Sequence, residues 1–106
     1  MLTDEMRYKL MRVLEANPTM SQRELARELG VSLGRINYCL RALISKGFIK
    51  ARNFGKSDNK AAYRYLLTPS GLEQKAQLTV AFLKAKTREY EALRQEIEGL
   101  RREVER

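Results

Sequence analysis

Five residues between positions 34 and 41 have the chemistry of a nucleic-acid contact: Gly34, Arg35, Asn37, Tyr38 and Arg41. Arginine suits guanine or phosphate, asparagine suits the edge of adenine, and tyrosine suits phosphate or a thymine methyl group. Helical spacing places all five away from an apolar stripe in the same segment. The pattern therefore predicts a helix that reads DNA, and it leaves open which residues contact bases and which contact phosphates.

The helix that carries these residues has a start signal and a stop signal. Ser32 is a candidate N-cap, because its hydroxyl can accept a hydrogen bond from the first turn, and Gly47 supplies a left-handed stop. The stripe predicted to face the core consists of Ile36, Leu40, Leu43 and Ile44. Cys39 lies within the same apolar run, which predicts a packed thiol.

Two further helices are predicted ahead of this one. The first runs from Thr3 to about Ala16, and Asn17-Pro18 ends it. The second begins at a capping box, Ser21 with Glu24, and stops at Gly30. Because so short a turn separates it from the helix that begins at Ser32, the pair forms a helix-turn-helix.

A two-stranded hairpin, or wing, is predicted after Gly47. Residues 48–53 and 61–68 have strand character, and the polar segment 54–60 is rich in loop-forming residues. Four basic residues bracket the tip, where they would meet phosphates and the minor groove: Arg52, Lys56, Lys60 and Arg64. An ordinary solvated hairpin is the alternative interpretation.

The last third of the chain predicts one long helix, which begins at Thr68-Pro69. A heptad pattern in it places apolar residues on one seam, predicted to mediate dimerisation: Leu83, Tyr90, Leu93, Ile97, Leu100 and Val104. In a parallel pair, Glu89 would face Arg94 of the second copy and Glu96 would face Arg101. An antiparallel pair would bring like charges together, so the pattern favours a parallel homodimer. The alternative is that this helix folds back on its own head.

Composition and charge narrow the classes of function. The net charge of +8 is uneven: thirteen Lys and Arg stand against six Asp and Glu up to residue 71, and eight against seven beyond it. Such an excess is expected of a surface that meets polyanions. With one cysteine and no histidine, no zinc site, intrachain disulfide, catalytic constellation or cofactor is predicted. No membrane span or signal peptide is predicted either, which favours the cytoplasm, in association with the nucleoid.

The segments 21–26, 43–49 and 67–71 together resemble the MarR-type winged-helix transcriptional regulators. The resemblance covers residues 5 to about 72, and the Leu-Thr-x-x-Gly exit from the wing is its most specific part. The long C-terminal helix is similar to that of the subgroup associated with exopolysaccharide gene clusters. One departure lies at the wing tip, where the family commonly has Asp-x-Arg and this chain has Asp58-Asn59-Lys60.

The resemblance implies roles for particular residues. The helix that starts at Ser32 would enter the major groove, with Ser32 itself at the DNA surface. The start of the preceding helix would contact phosphate through Ser21, Gln22 and Arg23. The wing tip would reach the minor groove through Lys56, Asn59 and Lys60. No particular small-molecule effector is implied.

The predicted fold is mainly α with a small β-hairpin wing: a winged helix-turn-helix head at 1–68, followed by a C-terminal coiled-coil dimerisation helix at 69–106. The predicted function is a sequence-specific regulator of transcription, a repressor, that binds double-stranded DNA as a homodimer on a pseudo-palindromic site. The alternative is a protein-interaction winged helix whose C-terminal helix pairs with a different protein.

Overall fold

The computed structural model describes residues 2–53 and 63–106. Within these ranges the chain forms α1 (Asp4–Ala16), α2 (Gln22–Leu29), α3 (Leu33–Ser45), β1 (Ile49–Asn53), β2 (Tyr63–Leu67) and α4 (Pro69–Val104). The sequence predicts this order of elements: a winged helix-turn-helix followed by one long helix. In the part of the chain described, none of the helices combines the length and apolar character needed to cross a membrane.

The predicted N-caps close the first turns of all four described helices. The hydroxyls of Thr3, Ser21, Ser32 and Thr68 each accept a hydrogen bond from the backbone N–H three residues on, at 3.0–3.1 Å. In the turn between α2 and α3, Gly30 has a left-handed backbone with φ of 67°, which a residue with a Cβ adopts only under strain. Because these signals are local, the starts of the helices could be predicted from the sequence.

The core lies where α1, α2 and α3 meet the inner face of the hairpin. Its fully buried side chains are Leu10, Met11, Leu14, Leu25, Ile36, Cys39, Leu40 and Leu43. The packed thiol predicted at Cys39 is confirmed. Ile44, in contrast, is 38% exposed, because the buried face of α3 follows Ile36, Cys39, Leu40 and Leu43, and Ile44 lies at its edge.

The wing is an antiparallel pair in which Ile49 lies opposite Leu67 and Arg52 lies opposite Arg64. Ile49 and Tyr65 are buried, so the hairpin packs one face against the helices. The described strands begin and end within one or two residues of the predicted ones.

The long helix α4 has two parts with different surroundings. Gly71 and Leu78 are buried, Phe82 is half-buried against α1, and we call residues 2–82 the head. From Leu83 to Val104 every apolar side chain larger than alanine is exposed, and we call this segment the arm. The molecule is consequently elongated, with extents of 71 × 26 × 23 Å.

The first part of α4 packs on α1 although it lies beyond residue 68, the predicted domain boundary. The ammonium of Lys75 lies 2.7 Å from the carboxylate of Glu15 on α1. The first turns of α4 therefore lie against α1, whereas the arm extends away from the head. The division at residue 68 stays a prediction.

Candidate nucleic-acid interface

Helix α3 separates its apolar residues from its DNA-type residues. Ile36, Cys39, Leu40 and Leu43 are buried on one side. On the other side Gly34, Asn37, Tyr38 and Arg41 are exposed, and the Tyr38 side chain retains 54% of its accessible surface. Because the buried side is fixed against the core, the exposed side is held as a rigid surface at the edge of the head.

Arg35 lies between these two sides of α3 and is half-buried. Its guanidinium charge acts on Cys39 and favours the thiolate. Burial opposes this effect more strongly, so the pKa of the Cys39 thiol is raised above its ordinary value. The thiol is therefore neutral and packed, which makes it a poor nucleophile.

Ser21 and Ser32, both predicted to lie at the DNA surface, use their hydroxyl oxygens as helix caps. Ser21 Oγ accepts from Glu24 N–H at 3.1 Å, and Glu24 accepts in return from the Ser21 N–H at 3.3 Å. Ser32 Oγ accepts from the Arg35 N–H at 3.1 Å. A capping hydroxyl still has its own proton to donate, so a phosphate contact is compatible with both caps.

Gln22 connects the start of α2 to α3 and to the wing. Asn37 Nδ2 donates to Gln22 Oε1 at 3.3 Å, and Gln22 Nε2 donates to the Tyr65 hydroxyl at 3.0 Å. Two predicted DNA-contacting residues are thus hydrogen-bonded to each other. Arg23, the next residue of α2, is exposed.

The described strands of the wing carry two of the predicted contact residues, in the fourth of the five residue pairs counted from Ile49 and Leu67. Arg52 is exposed and Arg64, opposite it on the ladder, is half-buried. The predicted tip residues Lys56, Asn59 and Lys60 lie outside the described residues.

Three described residues near these surfaces were not among the predicted contacts. Alternation along β2 places Tyr65 on the face opposite Arg64, but it does not show what the Tyr65 hydroxyl contacts. Lys50 is exposed on β1, two residues before Arg52. Leu33 is exposed in the first turn of α3. It directly follows the N-cap Ser32, and this position at the start of the predicted DNA-reading helix is the sequence signal for including it among the contacts.

The predicted dimerisation residues all lie on α4, exposed to solvent. Their exposed fractions run from 41% at Ile97 to 84% at Val104, and the set is Leu83, Tyr90, Leu93, Ile97, Leu100 and Val104. Single exposed apolar residues are common on proteins, but six along one stripe are not.

Part of the chain matches a known sequence family. Residues 3–50 match the family model described as winged helix-turn-helix DNA-binding. This segment contains α1, α2 and α3, and so includes the exposed surface of α3. No curated protein sequence matches the chain.

Solved structures of bacterial regulators have a similar fold. MarR of Staphylococcus aureus, in complex with salicylate and kanamycin, is 18% identical with a TM-score of 0.62, and the match covers 76% of this chain and 53% of that one. A mutant MarR of E. coli complexed with operator DNA is 24% identical, with a TM-score of 0.59 and coverages of 68% and 50%. The S. aureus MepR–DNA complex is 21% identical, with a TM-score of 0.65 and coverages of 80% and 60%.

These identities establish a likeness of fold, and this chain spans between 50% and 60% of the length of those three structures. From its family-model match and its architecture, this chain has the winged helix-turn-helix fold of the MarR-type transcriptional regulators.

Proposed function

We propose that this chain is a sequence-specific transcriptional regulator that binds double-stranded DNA as a homodimer. One observation carries the proposal: α3 buries Ile36, Leu40 and Leu43 and presents Asn37, Tyr38 and Arg41 to solvent. Helix α3 has 13 residues and is about 20 Å long. With its side chains an α-helix is about 10–12 Å in diameter, so a major groove about 12 Å wide admits it. Because the buried side of α3 is packed against the core, these side chains can contact base edges without a rearrangement of the head.

The contacts divide into those that read sequence and those that position the head. Asn37 is the candidate for adenine, and Arg35 and Arg41 are candidates for guanine or phosphate. Arg23 at the start of α2, and Arg52 with Arg64 in the wing, are the candidates to neutralise phosphates. Contacts of the second kind add affinity that depends on salt but carry little sequence information.

The similar solved structures support this assignment. The E. coli MarR in one of them is complexed with operator DNA, and the S. aureus MepR in another is complexed with DNA. Both have a fold similar to that of this chain. By analogy, α3 of this chain would lie in the major groove.

The arm supports a second copy of this chain as the partner. Its exposed apolar stripe has Ile97 and Val104 at the a positions and Leu93 and Leu100 at the d positions, a combination that favours two parallel strands. An isolated helix with such a stripe is only marginally stable in water, so we infer that the stripe is covered.

Charges beside the stripe favour a parallel arrangement. Among the described residues, Glu96 and Arg101 form no ion pair within their own helix, so both are available to a second copy. Arg94 already pairs with Glu91 at 3.2 Å and with Glu98 at 3.3 Å. The Glu96–Arg101 pairs therefore contribute more to the orientation of the arms than Glu89–Arg94 pairs do. Each exposed pair contributes about 0.2–1 kcal/mol.

Two heads joined by parallel arms fit a DNA site with two-fold symmetry. Each α3 would occupy one major groove, with half-sites one helical turn or a multiple apart, about 34–36 Å for a single turn. A bound dimer of this kind covers its site, and we infer that it represses transcription by excluding polymerase, in the cytoplasm at the nucleoid.

DNA binding is tested by titrating the chain with a random-sequence duplex at several salt concentrations. We expect binding at low salt and a steep fall of log K with log salt. A pool of random duplexes selected on the chain should then yield a pseudo-palindrome. If no duplex binds at low salt, the proposal is wrong and a protein-interaction winged helix becomes the better assignment.

The dimer is tested by mass in solution and by cross-linking. Ile97→Lys should convert the dimer to a monomer, whereas Gln95→Lys, which adds the same charge at a position off the stripe, should not. Val104→Cys introduces an exposed thiol, while the native Cys39 is buried. Oxidation should link two arms through position 104 only if they run parallel, and a dimer that resists this link would contradict the parallel arrangement.

A further inference from the structure

We infer that Leu33, the first residue of α3, is a specificity-determining residue that reads the methyl group of a thymine. This inference rests on the proposed function, since it names a base feature that the same surface of α3 would select. Leu33 directly follows the N-cap Ser32, and its side chain is 45% exposed. The exposure sets it apart from Ile36, Leu40 and Leu43, the apolar residues of α3 that the core covers.

The position of Leu33 in α3, rather than its exposure, indicates a contact with DNA. Single exposed apolar residues are common on proteins. In helix-turn-helix proteins, however, the N-terminal residues of the second helix contact the base edges. Side chains of an α-helix tilt toward its N-terminus, so a side chain of the first turn extends ahead of the helix. An α3 that enters the groove by its N-terminal end would therefore carry Leu33 toward the bases.

The chemistry of leucine selects one feature of the major groove. Among the groups that the bases present there, the C5 methyl of thymine is the apolar one, and the others are hydrogen-bond donors and acceptors. Against a donor or acceptor, leucine displaces water without supplying a hydrogen bond, which costs free energy. Against the methyl group both surfaces are apolar, and their burial is favourable. Leu33 thus favours thymine at the base that it faces.

Leu33 and Asn37 lie four residues apart on α3, so both can face the same stretch of the groove. Residues at this spacing have neighbouring side chains, with Cβ atoms about 5–6 Å apart. Consecutive base pairs are about 3.4 Å apart along the duplex. The base that Leu33 contacts would therefore lie within about two steps of the base that Asn37 contacts. Since Asn37 is the candidate for adenine, the two residues together favour a half-site with a thymine close to an adenine.

The decisive probe is deoxyuridine, which pairs as thymidine does but lacks the methyl group. A site selected from a pool of random duplexes is prepared with each thymine of one half-site replaced in turn. For the unaltered chain, we expect at least one replacement to weaken binding about three- to fivefold, the effect of burying one methyl group. Leu33→Ala should bind both duplexes equally at that position. Leu33→Met, which keeps a long apolar side chain, should retain the difference.

A comparison of absolute affinities separates a contact with the methyl group from a merely structural effect. Leu33→Ala should bind the duplex with thymine more weakly than the unaltered chain does. It should bind the duplex with deoxyuridine about as tightly as the unaltered chain, because the group that Leu33 contacts is already absent. A change that only disturbed the start of α3 would weaken binding to both duplexes.

Two variants on the same helix serve as controls. Ile44→Ala also shortens an exposed apolar side chain, but near the C-terminal end of α3, and should keep the distinction between thymine and uracil. Tyr38→Ala changes the other exposed residue whose chemistry suits a thymine methyl. It should keep the distinction at the position that Leu33→Ala affects.

The outcomes distinguish this inference from the proposed function. If the unaltered chain binds no duplex, the proposed function is wrong and this inference is overturned with it. If the chain selects a site but binds it equally with thymine and uracil at every position, only the inference is overturned. The same holds if Leu33→Ala weakens both duplexes alike, or if Tyr38→Ala removes the distinction and Leu33→Ala does not. Circular dichroism checks that Leu33→Ala is folded, and Leu33→Ser gives the same test should that variant unfold.

Discussion

The ring of Phe82 on α4 stacks on the ring of Tyr8 on α1, with centroids 4.9 Å apart and planes inclined by 21°. About two turns earlier on α4, the Lys75–Glu15 ion pair joins the same two helices. These two contacts, with the buried Leu78 between them, fix the direction in which α4 leaves the head. In a dimer joined through the arms, this direction would set the spacing between the two α3 helices.

Loss of the Tyr8–Phe82 stack should weaken the packing of α4 on α1. We expect Phe82→Ala to lower the free energy of unfolding by about 1–3 kcal/mol, because a half-buried ring and its aromatic partner are lost. Lys84→Ala, an exposed position two residues on, should change it by less than about 0.5 kcal/mol. Denaturant unfolding followed by circular dichroism, at a fixed chain concentration, measures both. Equal effects of the two changes would show that α1 does not hold α4.

A second stability prediction concerns the close approach of α4 to the chain that enters the wing. A Cβ at Gly71 would collide with the carbonyl oxygen of Phe48 and lie 2.9 Å from its carbonyl carbon. That oxygen also accepts from the Thr68 N–H at 3.1 Å, so it cannot shift without loss of a bond. Gly71→Ala should therefore destabilise the head by about 1–3 kcal/mol.

The comparison variant for Gly71→Ala is Gly34→Ala. Gly34 is also helical, but a Cβ there would have open space around it. The higher helix propensity of alanine should stabilise the head by up to about 1 kcal/mol. Opposite signs in the same unfolding measurement are expected, and equal destabilisation by both variants would contradict the Phe48 contact as the cause of the Gly71→Ala effect.

Those features of the fold that depend on neighbours in sequence were predictable. The caps at Thr3, Ser21, Ser32 and Thr68 involve residues three apart, so their signals are local. The alternation that places Tyr65 inward is equally local. These signals sufficed for the helix-turn-helix, the hairpin and the surface of α3.

Features that depend on distant partners were not predictable. Ile44 fits an apolar helical stripe, but whether its edge of α3 is covered depends on the elements that pack beside it. Leu78 and Phe82 lie in a continuous helix whose pattern does not show where the head ends. The bond between Gln22 and Tyr65 spans 43 residues, and no periodicity in the sequence carries it.

Binding to DNA should depend on salt in a way that individual cations control. We expect Arg23→Ala to weaken binding to all duplexes by a similar factor. It should also reduce the slope of log K against log salt by about 1, because one phosphate contact is lost. Arg88→Ala removes the same charge from an exposed position on the arm and should leave the slope unchanged. If both variants change the slope equally, Arg23 acts only through net charge.

The buried thiol of Cys39 should make stability fall at alkaline pH. Burial raises the pKa of Cys39 in the folded chain, so above the ordinary thiol pKa, about 8.5, the unfolded chain loses a proton that the folded chain keeps. The unfolded state then binds fewer protons and stability decreases as pH rises, by up to about 1.4 kcal/mol per pH unit until the folded pKa is reached. This contribution is fully present below the ordinary thiol pKa. Unfolding measured from pH 7 to 10 should therefore show a steeper decline for the unaltered chain than for Cys39→Ala, and parallel curves would contradict the shift.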